Sequence, residues 1–344
     1  MLAVQAQDLS GAKWSLGLRT RGGTEAAVNA VFDAGQVVRA WPLRGTLHLV
    51  EANDIGWLRT LTSSRQIARV AARQRGLGIT DSDVGRTETA VRTALEGRRA
   101  LPRDQLLGRI RSAGVPTGGQ RGYHLIWRLA QAGTLVMGPT SGRGQAFVLL
   151  DEWVTAGPAL DRDEALGQLA LRYFRSHGPA SDVDLARWAG IGLGEARLGR
   201  AISGAALATI EVGGTTYHLD PETLDREAGD RQSGVSPSGR VLLLPGFDEY
   251  LLGYGDRSAV LRDEHADRIV PGGNGLFRPT IVIDGEVVGT WSQAVRARQI
   301  LVVPSLFDPL SAGSLAGLPD AAAALGSFLG RDVRSAPAEL GEPL

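Results

Sequence analysis

The sequence of residues 102–150, PRDQLLGRIRSAGVPTGGQRGYHLIWRLAQAGTLVMGPTSGRGQAFVLL, decides the fold. A helix enters through Pro102, runs from Arg103 to Ala113 and ends at Gly114, because proline suits a first helical turn and glycine commonly follows a helix end. A second helix is predicted from about Gln120 to Ala132. The segment therefore begins as two helices joined by a short turn.

Two strands follow these helices. Thr134 to Met137 and Gln145 to Leu150 flank Ser141-Gly142-Arg143-Gly144, which predicts a two-stranded wing with an arginine near its tip. Helix, turn, helix and wing make the winged variant of the helix-turn-helix, whose second helix enters a major groove of DNA.

The second helix has two predicted faces. Four apolar residues at i, i+3, i+4 and i+7 face the core: Tyr123, Ile126, Trp127 and Ala130. Arg121, His124 and Arg128 lie opposite and are candidates for DNA contacts, together with Arg143 of the wing.

The pattern returns downstream. Helical spacing of Leu166, Leu169, Ala170 and Tyr173 predicts a helix, Ser181 with Asp184 forms a capping box that opens a second helix to about Ala189, and Gly194 to Ala201 is a third. The strands from Ala208 to Val212 and from Thr215 to Leu219 are joined by Gly213-Gly214, a two-residue turn that permits positive φ.

A less regular unit precedes residue 81. Thr24 caps a helix that ends at Gly35, Leu43 to Val50 reads as a strand, and Asn53 to Ser63 and Ser64 to Arg75 read as two helices. The chain is thus an α+β tandem array with winged-helix units at 1–80, 81–158 and 159–225. Small helix-hairpin modules also recur in proteins that do not bind DNA. The array alone therefore does not decide whether this protein binds DNA.

Strands dominate after the polar segment from Asp225 to Arg240. Those from Arg240 to Leu244, Pro279 to Ile283 and Glu286 to Trp291 predict a β-rich domain over 240–335, with Asp284-Gly285 as a tight turn and a short helix from Ala321 to Leu329. Adjacent Asp248 and Glu249 diverge and lack the histidine spacing of a metal site, so structural or phosphate-arginine pairing roles are favoured.

Composition limits the function. The 344 residues contain no cysteine and carry a formal net charge of zero, which excludes disulfides and cysteine-ligated metals and favours a reducing cytoplasm. No apolar run is long enough to span a membrane. Lys13 is the only lysine, and the arginine-rich usage suggests a GC-rich bacterial genome. We expect a monomer without metal or cofactor.

Gln5-Ala6-Gln7-Asp8 is the candidate site. Two amides at i and i+2 share a face only on an extended backbone. An amide cannot act as a general base near neutral pH, but it offers donors and an acceptor that can position a water or a sugar oxygen. Taken alone, two nearby glutamines are most often solvated surface residues.

Several motifs together resemble one family. They are Gln5-Ala6-Gln7-Asp8, Arg44-Gly45-Thr46-Leu47-His48-Leu49-Val50, Leu244-Pro245-Gly246-Phe247-Asp248-Glu249-Tyr250-Leu251-Leu252, Asn274-Gly275-Leu276-Phe277-Arg278-Pro279-Thr280, Asp284-Gly285 and Gly289-Thr290-Trp291. In this order, and over nearly the whole chain, the sequence resembles the AlkZ/YcaQ family of bacterial winged-helix DNA glycosylases.

The resemblance implies excision of alkylated purines in double-stranded DNA, including bulky N7 adducts and, in some members, interstrand crosslinks. It implies that Gln5 and Gln7 are catalytic, and it places the enzyme in the cytoplasm, at the nucleoid. We expect DNA contacts from Arg21, Arg44, Thr46, His48, Arg121, His124, Arg128 and Arg143.

The resemblance has one departure and one alternative. Only Met1 to Val4 precede the glutamine pair where the family has a helical segment, so we expect either that Met1 is a late start or that the first winged helix is incomplete. The alternative is a winged-helix DNA-binding protein or regulator without catalysis, which predicts a dimer on spaced half-sites. The glutamine pair has no role in a regulator, and no dedicated dimerisation helix is predicted, which favours the enzyme.

Overall fold

The structure is a computed structural model that describes residues 1–142, 144–225, 239–295 and 299–341. The chain forms two compact units. Unit 1 comprises Met1–Ala6, Asn29–Ser176 and Leu185–Ala205, and unit 2 comprises Gln7–Val28, His177–Asp184 and Ala206–Leu344. Within the described ranges, no helix is long and apolar enough to cross a membrane.

Helices and strands both contribute to this mixed fold. The helices are α1 (Leu9–Leu18), α2 (Glu25–Asp33), α3 (Ala52–Gly76), α4 (Asp81–Leu95), α5 (Arg103–Ser112), α6 (Arg121–Ala132), α7 (Leu150–Trp153), α8 (Arg162–His177), α9 (Asp182–Ala189), α10 (Leu193–Ser203), α11 (Glu249–Leu252), α12 (Ala266–Ile269) and α13 (Leu318–Leu329). The strands are β1 (Ala3–Gln5), β2 (Val37–Leu43), β3 (Thr46–Glu51), β4 (Leu135–Ser141), β5 (Gly144–Leu149), β6 (Ala208–Val212), β7 (Thr215–Leu219), β8 (Val241–Leu244), β9 (Thr280–Ile283), β10 (Glu286–Val295), β11 (Gln299–Leu306), β12 (Asp332–Ser335) and β13 (Glu339–Leu340).

Unit 1 is built on a sheet of order β1-β3-β2-β4-β5. Its pairs are antiparallel, and β1 joins the edge with Gln5 opposite His48. Arg39 of β2 pairs with Met137 of β4, so strands from the first and second predicted units lie in one sheet. Beside this sheet, α3 to α6 bury a core that includes Leu95, Leu106, Ile110, Leu125 and Trp127.

The predicted strand from Leu43 to Val50 is confirmed from Thr46 onward as β3, but its first three residues do not belong to that strand. Arg44 and Gly45 have φ values of 54° and 73° and form a two-residue turn between β2 and β3, in the conformation that tight hairpins favour. β2 instead continues through Pro42, where the register with β3 shifts between Ala40 and Leu43. Proline has no N–H for the ladder, which explains why it lies at this irregularity.

Helical predictions in unit 1 need two corrections. The predicted helices on either side of Ser63 are one 25-residue helix, α3, since no glycine or proline lies between Trp57 and Arg75. Helix α4 was not predicted at all. Its signal was present, because Thr80 and Asp83 make a capping box with reciprocal side-chain bonds.

Helix α6 is buried around most of its circumference. Ile126, Trp127 and Ala130 lie in the core as predicted, whereas Tyr123 is 38% exposed and His124 only 9% exposed. We predicted that Tyr123 faces the core and that His124 faces away from it, and both assignments were wrong. Helix α6 contacts α3, α4, β2 and β4 together, so its buried surface is wider than one core-facing stripe.

The helices and strands predicted for the third winged-helix unit are present in the structure. α8, α9 and α10 match the three predicted helices, and Ser181 and Asp184 exchange the capping-box bonds. Gly213 and Gly214 both have positive φ in the turn between β6 and β7.

Unit 2 contains the β-rich part of the chain. Its sheet has the order β12-β11-β10-β9-β8, with β13 also pairing with β11, and Asp284-Gly285 forms the predicted turn with positive φ at both residues. α13 covers one face, and Trp14 of α1 enters the same core. The segment 226–238, most of the predicted linker, is outside the described residues.

The packing of α10 against α8 gives the first prediction. A Cβ at Gly199 would lie 2.4 Å from the Leu166 carbonyl oxygen, whereas a Cβ at Gly194 of the same helix meets nothing within 4 Å. We expect Gly199→Ala to destabilise the protein by about 1–3 kcal/mol, because backbone must move. Gly194→Ala, the matched control, should be neutral or stabilising by up to about 1 kcal/mol. Equal urea midpoints for the two variants would contradict the close packing.

Candidate functional site

Gln5 is held at the end of β1 by the turn between β2 and β3. Its side-chain oxygen accepts hydrogen bonds from Arg44 Nη2 at 2.9 Å and from Thr46 Oγ1 at 3.3 Å. Gln5 is only 6% exposed. Two donors on the oxygen set the orientation of the amide, which is what a positioning group needs.

Arg44 connects this turn to helix α9. Besides Gln5, its guanidinium donates through Nη1 to the backbone carbonyl of Trp188 near the C-terminal end of α9. Helix ends of this kind carry partial negative charge, so the carbonyl offsets part of the cation's charge next to Gln5.

Ala6 is fixed through its backbone. Its N–H donates to the Leu47 carbonyl at 2.7 Å, and its carbonyl accepts from Arg39 Nε at 2.9 Å. The residue that follows Gln5 is therefore held through both its N–H and its carbonyl. Arg39 was not among the predicted site residues, and nothing in the local sequence identifies an arginine 33 residues away as its partner.

Gln7 and Asp8 begin unit 2. Gln7 is exposed, and Asp8 is the N-cap of α1, with an extended backbone and a side chain that accepts from Ser10 N at 3.1 Å. Capping satisfies one of the otherwise unpaired N–H groups of the first helical turn. Gln7 thus directly precedes a capped helix start.

Helix α1 is anchored to the Pro245–Tyr250 motif. Trp14 Nε1 donates to the Leu243 carbonyl at 2.7 Å, and Ser15 Oγ donates to Asp248 at 2.7 Å. Arg19 binds both oxygens of Asp248, at 2.9 and 2.7 Å. Asp248 therefore has the structural role that was one of the two favoured for the motif.

The neighbouring carboxylate points elsewhere, as predicted. Glu249 is buried and lies 3.4 Å from His177 Nε2. Tyr254 donates to the His177 carbonyl at 2.5 Å, and burial raises the pKa of that phenol. These contacts give both carboxylates of the motif internal partners.

Lys13 is enclosed in unit 2. It is 8% exposed and pairs with Glu25 at 3.2 Å. An amine with this partner is held within the protein.

Arg121 has several protein partners. It donates to the Leu77 carbonyl at 2.6 Å, to the Pro116 carbonyl at 3.0 Å and to Asp83 at 3.1 Å. These bonds hold the start of α6 against α4. These bonds give Arg121 a structural role.

The two predicted histidine contacts are buried. His48 is fully buried opposite Gln5 on the neighbouring strand, with Nδ1 2.9 Å from the Thr46 carbonyl oxygen, so its side chain has no exposed surface in this structure. His124 lies in a pocket described below. Of the predicted arginines, Arg21 is exposed, Arg128 is half-buried and Arg143 lies outside the described residues.

Helix α3 carries basic residues that the site prediction missed. Arg65, Arg69 and Arg73 follow one another at intervals of four and share a face, which was the available signal. Arg65 pairs with Glu195 at 2.8 Å, and Arg73 donates to Gln120 at 2.8 Å. Arg69 is exposed.

One group of side chains in the described ranges has the composition of a metal site. Glu264, His265 and Asp308 place ligand atoms within 4.8 Å of one another. Arg262, however, forms ion pairs with both carboxylates, so its guanidinium already neutralises part of their negative charge. The arrangement is an ion-pair network at the surface.

Asp83 gives a pH-dependent prediction. Its hydrogen bond from the Thr80 backbone, reinforced by the Thr80 hydroxyl, Arg86 and Arg121, lowers its pKa from 3.8 to about 2. Because the folded-state pKa is depressed, the stabilisation is present above about pH 4 and lost as pH falls towards 2. We expect Asp83→Asn to lower Tm by roughly 2–4 °C at pH 7.

The Tm difference between parent and Asp83→Asn should narrow as pH falls from 5 to about 3. Asp81→Asn is the control, since Asp81 lies in the same helical turn and is exposed. Equal Tm losses in the two variants, or a constant difference across this pH range, would contradict a special role for Asp83.

Comparisons with known proteins identify the family. The family model described as DNA glycosylase AlkZ-like matches residues 1–328. A curated protein named interstrand DNA cross-link repair glycosylase, from Streptomyces sahachiroi, is 27% identical over 315 residues, which cover 88% of this chain and 82% of that protein. The solved structure of Streptomyces sahachiroi DNA glycosylase AlkZ has a TM-score of 0.75 and 25% identity, and covers 97% of this chain and 90% of that one.

These matches confirm the resemblance drawn from the motifs and the mixed helix-and-sheet fold. They also confirm that the family is one of enzymes, which hydrolyse N-glycosyl bonds. The chain belongs to the AlkZ-like family of DNA glycosylases.

Proposed function

We propose that this protein is a DNA repair glycosylase that removes N7-alkylated purines, including those in interstrand crosslinks, and that Gln5 and Gln7 are its catalytic residues. Family membership supports the reaction, and the name of the Streptomyces sahachiroi relative supports the crosslink substrate. The observation that carries the proposal is the Gln5 amide, oriented by Arg44 and Thr46.

The chemistry suits neutral amides. An N7-alkylated guanine is cationic and leaves readily, so the enzyme has to place a water at C1′ and stabilise an oxocarbenium-like sugar. Gln5 and Gln7 would hold that water and a sugar oxygen. A strong base is unnecessary, because orientation supplies most of the rate when the leaving group is already activated.

The positive charge of Arg44 is compatible with a positive charge that develops on the sugar during the reaction. Its guanidinium bonds to the Gln5 oxygen and to the Trp188 carbonyl, so two acceptors offset its charge. The role we assign to Arg44 is to orient Gln5 and, as a cation, to attract the phosphates that flank the lesion.

The architecture we propose is three winged-helix units, 1–80, 81–158 and 159–225, followed by a β-rich domain over 240–335. Helix pairs followed by hairpins at β4–β5 and β6–β7 support this division. DNA would be contacted by Arg21, Arg44, Thr46 and Arg128, with Arg143 proposed from the sequence alone. The enzyme would act as a cytoplasmic monomer on double-stranded DNA.

Substitution of the glutamines tests the catalytic proposal. We expect Gln5→Ala and Gln7→Ala each to slow release of 7-methylguanine from methylated duplex DNA on the order of 100-fold, the usual effect of removing one positioned hydrogen-bonding group. DNA affinity should change little, because phosphate contacts supply most of it. Single-turnover rates and binding isotherms measure the two quantities separately.

Gln36→Ala is the matched control, since Gln36 is an exposed glutamine at the start of β2. It should excise at the parental rate. Equal rates for the parent and both site variants would overturn the catalytic assignment. Sequence-specific binding of undamaged DNA by a protein that releases no base would instead support a regulator.

We also predict a monofunctional reaction that leaves the strand uncut. Strand cleavage by a glycosylase requires an amine that forms a Schiff base at C1′. Lys13 is the only lysine and is buried beside Glu25. Borohydride reduction during reaction with alkylated duplex should therefore trap no covalent protein–DNA adduct. An adduct that disappears in Lys13→Ala would contradict this mechanism.

A further inference from the structure

A pocket lies beside the turn that orients Gln5. It has a volume of about 110 Å³ within unit 1. The residues that line it are Arg44, Gly45, Gln66, Arg69, Val70, Tyr123, His124 and Trp127. Arg44, whose guanidinium bonds to the Gln5 oxygen, is thus also a wall of this pocket.

His124 is the unusual group in the lining. It is 9% exposed, and its Nδ1 is buried without a hydrogen-bond partner among the described residues. Burial, with Arg73 nearby, lowers the pKa of this imidazole, so the ring is neutral at pH 7. A buried ring nitrogen without a partner costs free energy, and the ring that carries it lines the pocket.

The charges around the pocket select an anion. Arg44 and Arg69 line it, and no carboxylate does. Arg69 is exposed, and no ion pair or side-chain hydrogen bond holds it within the described parts of the chain. A guanidinium without a protein acceptor is well suited to bind phosphate oxygens in a bidentate manner.

The dimensions distinguish a phosphate from a base. A volume of 110 Å³, enclosed by Trp127 and Tyr123, leaves room for a tetrahedral anion but little for a purine with its sugar. Gln66 donates to the Pro42 carbonyl at 2.7 Å, and the lining also contains guanidinium, imidazole, phenol and indole donors. Such donors recognise phosphate and carry no sequence information.

We propose that this pocket binds one backbone phosphate of the DNA, which Arg69 and the His124 ring hold beside the Arg44–Gln5 pair. The proposal rests on the proposed function insofar as DNA is the substrate. It adds a specific anchor, formed by α3, α6 and the turn between β2 and β3, that would set the distance between the strand and Gln5.

Binding to undamaged duplex DNA tests the anchor without requiring base release. We expect Arg69→Ala to weaken affinity several-fold and to reduce the slope of log K against log salt by about one phosphate contact. His124→Ala should weaken binding with a smaller change of slope, because its ring is neutral before DNA binds. The double variant should lose less than the sum of the two, since both residues would hold the same phosphate.

Methylphosphonate substitution identifies the phosphate. Each phosphate near a stable abasic-site analogue is made neutral in turn, and the loss of affinity is measured for every protein. We expect one position where the parent loses affinity but Arg69→Ala and His124→Ala do not. Arg75→Ala is the matched control, because Arg75 is an exposed arginine of α3 that does not line the pocket, and it should keep the parental penalty.

The outcomes separate this site from the glycosylase proposal. Identical methylphosphonate penalties and salt slopes in the parent, Arg69→Ala and His124→Ala would overturn the phosphate site. If His124→Ala fails to fold, Arg69→Ala still tests the site, because Arg69 is exposed and its replacement should not affect folding. A protein that releases no base yet loses one contact in Arg69→Ala would contradict only the glycosylase, whereas full base release with unchanged binding in both variants would contradict only the anchor.

Discussion

The candidate site depends on the attachment of a three-residue strand to a sheet edge. A strand as short as β1 has too few ladder bonds to hold itself, so its position relies on pairing with β3 and on side chains that reach it from elsewhere. Arg39 binds the Ala6 carbonyl, and Arg44 binds the Gln5 oxygen. Both arginines come from β2 or its turn. Unit 1 therefore positions Gln5 through tertiary contacts, and the local sequence around Gln5 contributes little beyond the extended backbone.

In unit 2 a buried carboxylate has the equivalent role for α1. Asp248 is 4% exposed, and an unpaired charge at that depth would cost several kcal/mol. The bidentate bonds from Arg19 and the Ser15 hydroxyl satisfy it. Removal of Arg19 or Ser15 would leave Asp248 as an uncompensated buried charge. The bonds to Asp248 therefore fix α1 mainly because breaking them is costly, and not because they add a large net stabilisation. The Pro245–Tyr250 motif resembles a catalytic cluster in sequence, but these contacts give its carboxylates structural roles.

Local signals in the sequence were reliable where the structure is itself local. The helical spacing from Leu166 to Tyr173, the Ser181–Asp184 capping box and the paired glycines at 213 and 214 all gave the observed elements. The failures involve distant partners. Arg44 bonded to Gln5, His48 buried opposite Gln5 and Arg121 bonded to Asp83 appear in the sequence as ordinary polar residues. Polarity alone cannot show whether an arginine or a histidine faces DNA or satisfies a buried acceptor, because that depends on chain segments tens of residues away.

Arg44 explains why binding and catalysis would be coupled in this protein. Its side chain contacts the Gln5 amide on one side and lines the phosphate pocket on another. An anion in that pocket would attract the guanidinium, and the guanidinium orients the amide that is proposed to hold water. Its backbone is restricted as well, since a turn with positive φ at both residues tolerates little movement. A correctly placed phosphate would therefore stabilise the orientation of Gln5 that the reaction needs, whereas a misplaced strand would not. Neutral amides can be sufficient for such a reaction, because the charged side chain next to them works on the backbone of the substrate and not on the developing sugar cation.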